Sequence, residues 1–84
     1  MKPLNACIQG ETVIIQRIHG SSMLRKRLLE MGFLKGKKLL IVRYAPLRDP
    51  MEVRLGDALI SLRIGEAAGI DVISVKEAGV HADT

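Results

Sequence analysis

The sequence predicts a mainly β protein, a small barrel of about five strands with one α-helix inserted after the first strand. Three observations predict it. Short segments rich in β-branched residues, or alternating apolar and polar, recur along the chain and fit pleated, half-buried surfaces. Turn residues separate them, notably Gly56-Asp57 between two alternating runs, a two-residue hairpin pattern. Only one stretch, SSMLRKRLLEMGFLKG over 21–36, carries a helical period. A strongly bent antiparallel sheet closed into a barrel accommodates these pieces and removes exposed edges.

In chain order, 4–10 reads as one helical turn, with Asn5 as its cap, Gly10 as its exit, and Leu4 and Ile8 stapling it to the core. Residues 11–18, with Thr12, Val13, Ile14, Ile15 and Ile18, are apolar on both faces in the middle and predict a central strand. The helix follows. Ser21 or Ser22 caps it, and Leu24, Leu28 and Met31 fall within about 60° of one another as its buried stripe. Gly32 ends it in a left-handed conformation, with Phe33 as the apolar residue that packs back. Residues 37–44 predict a strand apolar on both faces at its centre. Pro46 and Pro50 make 45–50 a stiff exposed loop. Residues 51–55 point Met51, Val53 and Leu55 inward, and 58–62 return from the Gly56-Asp57 turn. A single turn over 63–69 ends at Gly69, and 70–75 form the last strand. The expected domain is 1–76, with 77–84 as a flexible tail.

The 84 residues suffice for one core, which buries about 60–65% of the unfolded surface. At 48% hydrophobic and a mean hydropathy of +0.19 the chain is too apolar for disorder. Phe33 and Tyr44 are its two aromatics, so the core is expected to be aliphatic. No apolar run reaches the ~18 residues of a membrane span, and the N-terminus lacks the apolar region of a secretory signal. A single cysteine, Cys7, forms no internal disulfide and suits a reducing cytosol as a small packed hydrophobe. Thirteen Lys and Arg against nine Asp and Glu give +4, compatible with nucleic acid, anionic lipid or an acidic protein partner.

Read together, three phrases resemble the FeoA family of small ferrous iron transport proteins. They are Arg25-Lys26-Arg27-Leu28-Leu29-Glu30-Met31-Gly32 with Lys35-Gly36, then Ala45-Pro46-Leu47-Arg48-Asp49-Pro50-Met51-Glu52-Val53, then Ser61-Leu62-Arg63 with Glu66-Ala67-Ala68-Gly69-Ile70-Asp71-Val72. Their order and spacing carry the likeness from Leu4 to about Val75. Gly65 departs from it, standing where the family more often has a polar or charged residue. The resemblance implies an SH3-like barrel and an accessory cytoplasmic role in ferrous iron uptake, at the inner face of the membrane through its partner. That implied partner is a FeoB-type transporter with a GTPase domain. A similar domain closes some metal-dependent repressors, but a repressor is not expected here, since no DNA-binding helix-turn-helix or metal-binding segment is read ahead of the domain.

The residues themselves point away from chemistry. His19 and His81 are far apart and Cys7 is alone, so no pair has metal-ligand spacing. No phosphate loop of the GxxxxGK type is present, and no serine pairs with a histidine as in a catalytic triad. We therefore expect no catalytic, cofactor or metal site. Without tryptophan, an aromatic groove for proline-rich peptides is not available. Arg25, Lys26, Arg27, Lys35, Lys37 and Lys38 suggest one positive face, which leaves a second reading open: a basic barrel that binds the phosphate backbone of RNA. Two features favour a protein partner. Leu29 lies about 100–140° from the buried stripe among charged neighbours. Leu47 is held between prolines, either offered to a partner or folded back as a lid. The expected contact surface is Arg25, Lys26 and Leu29 with Leu47 and Arg48.

Overall fold

The structure, a computed structural model, describes residues 1–79. The order of elements is β1 (Lys2–Pro3), a 3-10 turn (Leu4–Ala6), β2 (Thr12–Ile18), α1 (Ser22–Glu30), β3 (Lys38–Tyr44), a 3-10 turn (Pro46–Arg48), β4 (Met51–Leu55), β5 (Ala58–Leu62), α2 (Ile64–Ala67) and β6 (Ile70–Ser74). One antiparallel sheet runs β1-β6-β2-β3-β4-β5. The mainly β expectation holds, with one strand more. β1 is a two-residue strand against β6, Lys2 opposite Val72 and Pro3 opposite Asp71. Pro3 lacks an N–H, which a sheet tolerates at such an edge.

β2 is central, paired to β6 and β3, and its Val13, Ile14 and Ile15 are all buried. Register shifts between Ile15 and Arg17 and between Ile41 and Arg43 mark bulges, which bend the sheet around its core. β3 differs from expectation: Leu39 and Ile41 are buried, but Leu40 between them faces outward and stays 37% exposed. Gly56-Asp57 makes the two-residue hairpin, with Leu55 opposite Ala58 and Gly56 at φ 59°.

Ser21 caps α1, its hydroxyl accepting from Leu24 N–H at 3.1 Å. At the other end Phe33 N–H donates to Leu28 C=O at 3.0 Å and Gly32 N–H to Leu29 C=O at 3.0 Å, the paired bonds of a Schellman stop, with Gly32 at φ 94°. This stop sends Phe33 into the core against Leu28, both fully buried. The expected stripe is thereby shortened. Leu24 is partly buried, and Met31, the C-cap residue just past α1, stays 37% exposed. Apart from Phe33, Cys7 and Met51, the buried core is aliphatic.

Pro3 rather than Asn5 occupies the N-cap position of the first turn, without a side-chain capping bond, and the turn ends at Cys7 rather than Gly10. Leu4 enters the core, whereas Ile8 is 70% exposed, so only one of the expected pair staples the turn. Cys7 packs in the core, and burial pushes its thiol up to about 11. Beyond β6 the chain turns with Ser74 and Glu77 exchanging hydrogen bonds, at 3.0 and 3.1 Å, and the N-terminal ammonium lies 3.7 Å from Glu77. Of the expected tail, 77–79 belong to this hydrogen-bonded turn; 80–84, with His81, lie outside the described residues.

Candidate functional site

α1 stands against the sheet with two different sides, because Arg25 and Leu29 share one side of a 3.6-residue helix and Arg27 and Met31 the other. On the first side, Ser22, Arg25, Lys26, Leu29 and Glu30 line a shallow groove. Arg25 and Leu29 also border a crevice against β2, floored by Ile15, Ile18 and Phe33 and flanked by Arg17 and Lys35. Leu29 is 46% exposed. Among the described residues Arg25, Lys26 and Lys35 form no ion pair, so their charge faces outward. Arg17 is drawn back by Asp71 at 3.5 Å, which also meets His19 Nε2 at 3.1 Å.

The opposite side of α1 is neutralised from within. Arg27 pairs with Glu66, whose other oxygen accepts Arg63 N–H at 2.9 Å. Arg27, Met31, Pro50, Ser61, Arg63 and Glu66 line the crevice between α1 and the β3–β4 loop. Lys37 and Lys38 border a third crevice with Met31, Gly32, Leu55 and Gly56. The basic residues expected on one positive face are therefore divided over three sides. The helical period sets Arg27 on the side opposite Arg25, and an acid 39 residues away in sequence then pairs with it.

Leu47 and Arg48 form a separate patch at the end of β3. The loop closes with Arg48 N–H donating to Ala45 C=O and Ala45 N–H to Pro50 C=O, both at 2.8 Å. The Asp49 carboxylate accepts Ile64 N–H at 3.2 Å, tying the loop to α2. Arg48 lies over the Tyr44 ring, 4.2 Å from its centroid, and the Tyr44 hydroxyl donates to Cys7 C=O. Burial pushes the Tyr44 hydroxyl pKa up. Leu47 is 98% exposed and does not fold back as a lid. It sits at φ 70°, ψ 13°, and Arg48 at φ 65°, a left-handed pair that no Gly or Asn signalled. So the structure brings Arg25, Lys26 and Leu29 together in one groove, and places Leu47 with Arg48 apart from it, in the β3–β4 loop.

Among the described residues no group of three or more His, Cys, Asp or Glu could hold a metal ion. No helix among them is long and apolar enough to cross a membrane.

Solved structures share this fold. Iron(II) transport protein A from Clostridium thermocellum superposes with a TM-score of 0.82 at 36% identity, over 88% of this chain and 46% of that one. FeoA from Stenotrophomonas maltophilia, solved with zinc and described as a procaryotic SH3 domain protein, has a TM-score of 0.77 at 26% identity, over 87% of this chain and 91% of that one. The class is thus an SH3-like barrel carrying one principal helix. Residues 2–74 match the FeoA domain, and the chain belongs to the FeoA family, a family of ferrous iron transport. A curated relative, the Fe(2+) transport protein A/Fe(2+) transporter FeoB fusion protein of Porphyromonas gingivalis, is 48% identical over 63 residues. That match covers 75% of this chain and only 8% of the fusion protein.

Proposed function

We propose that this protein is a non-catalytic accessory domain of ferrous iron uptake that binds the cytoplasmic part of a FeoB-type transporter and modulates its work. The observation that carries this reading is the fusion relative, in which a segment 48% identical to this chain belongs to one polypeptide with FeoB. Fusion keeps two partners at high effective concentration, which is useful where they act together. The surface supports a docking role: a half-exposed leucine beside unpaired cations on α1, and a rigid loop presenting Leu47 and Arg48. We assign the contact to Arg25, Lys26 and Leu29, with Leu47 and Arg48 as its second patch. The protein takes its place at the inner face of the membrane through this partner.

Leu29→Ser and Arg25→Glu test the assignment in titrations against the cytoplasmic, GTPase-containing portion of the cognate transporter. Both should weaken binding while leaving the far-UV spectrum unchanged. An unfolded Leu29→Ser variant would mean that Leu29 is a core residue and not a contact. The RNA reading predicts a different outcome, affinity for nonspecific RNA that collapses with added salt. The division of the cations over three sides weighs against it, as does the position of Phe33 in the core, where it stacks on no base.

A further inference from the structure

Ala45-Pro46-Leu47-Arg48 is a tight turn whose third residue must take a positive φ, a place normally filled by Gly or Asn. Leucine there costs the fold stability, since its Cβ crowds the backbone in the left-handed region. It returns nothing to the core, being 98% exposed. Isolated surface hydrophobes are ordinary, and Met23 and Ile8 are further examples. Leu47 differs from them because its backbone is strained as well as its side chain exposed. Strain of this kind persists where the surrounding frame enforces it, and function is the usual reason for retaining it. The frame is present: the two loop hydrogen bonds, the Asp49 link to α2, and Arg48 laid back over Tyr44, which leaves the leucine as an apolar tip.

We propose that Leu47 is a preformed anchor, held out to enter an apolar pocket of the protein partner sized for one branched aliphatic side chain. The inference rests on the reading that the protein docks on a transporter's cytoplasmic part. Preordering the side chain lowers the entropy lost on binding, so the strain is exchanged for affinity. Stability and affinity should therefore move in opposite directions at this one position.

Leu47→Gly and Leu47→Asn both accept the left-handed conformation and remove the side chain. We expect each to raise the melting temperature, by about 2–6 °C for a domain of this size. Each should also weaken Kd for the cytoplasmic portion of the cognate transporter, by about ten- to a hundredfold, the worth of one buried leucine. Leu47→Met, which keeps apolar bulk, should restore binding close to the wild-type value. If Leu47→Gly binds like wild type while Leu29→Ser is weakened, the anchor is refuted and the docking reading survives. Absence of binding by the wild-type protein would overturn both. Binding of the wild type, but not of Leu47→Gly, to phosphatidylserine-containing vesicles, with no effect on transporter affinity, would assign Leu47 to the membrane and overturn the protein pocket.

Discussion

A methyl group added at Gly69 would stand 2.6 Å from the backbone carbonyl oxygen of His19, closer than real Cβ atoms approach, and 3.5 Å from that of Glu66. The Glu66 oxygen is at ordinary contact distance, but the His19 oxygen would have to retreat and is held in place. His19 N–H donates to Gly69 C=O at 2.8 Å, Gly69 N–H donates to Glu66 C=O at 3.0 Å, and Ile18 stands opposite the fully buried Ile70 in the β2–β6 register. Gly69→Ala must therefore push the end of β2 away from the start of β6 by several tenths of an ångström. The overpacking costs about 1–3 kcal/mol, and a weakened hydrogen bond adds about 1 kcal/mol. A loss of about 2–4 kcal/mol is large for a domain whose whole stability is about 4–12 kcal/mol. Urea unfolding is the assay, with the midpoint falling and the slope unchanged. Ile18 also floors the crevice beside Leu29, so partner affinity should fall together with stability. A Gly69→Ala variant within about 0.5 kcal/mol of wild type would refute the close-approach reasoning, since that is the range of an ordinary surface change.

Other perturbations test other parts of the account. Gly65 lies in α2 without a positive φ, and an added Cβ meets open space, so Gly65→Ala should stabilise by about 0.4–1 kcal/mol in the same urea assay. The Lys2–Glu11 pair, 2.6 Å apart, makes stability pH-dependent at both ends. Burial pushes the Glu11 carboxyl up, but the Lys2 ammonium and Ile8 N–H outweigh it and hold it below the ordinary 4.5. Its contribution is thus present above pH 4.5 and lost as pH falls through the folded value. Lys2 is raised above 10.5 by its hydrogen bond to Glu11, so its contribution holds below that pH and is lost as pH rises through the folded value. Lys2→Met should cost less than about 1 kcal/mol at neutral pH, as expected for a partly exposed pair, and flatten the acid limb of the stability–pH curve.

How far the fold was legible follows from which signals are local. Ser21, Gly32 and Phe33 declared both ends of α1 because caps act within a few residues. Gly56-Asp57 declared its hairpin for the same reason. β1 was invisible, since two residues carry no period and exist as a strand only by pairing with Val72 and Asp71. The outward face of Leu40 could not be read from an unbroken apolar run, because it depends on what covers the sheet. At the candidate site, Leu29 was legible as an off-stripe leucine, and the structure leaves it half-exposed. The helical period already sets Arg27 on the side opposite Arg25, but its pairing with Glu66 across the fold was not legible. Pro46 announced a turn, but nothing in the sequence announced that Leu47 would take the position that prefers glycine.

The central claim is that this domain docks on the cytoplasmic part of a FeoB-type transporter. The most direct measurement is a calorimetric titration of the wild-type protein with that portion of the cognate transporter at about 0.15 M salt, close to physiological ionic strength. The account predicts saturable binding that Leu29→Ser weakens. No binding to the transporter portion, together with saturable RNA binding that falls steeply as salt rises, would contradict it.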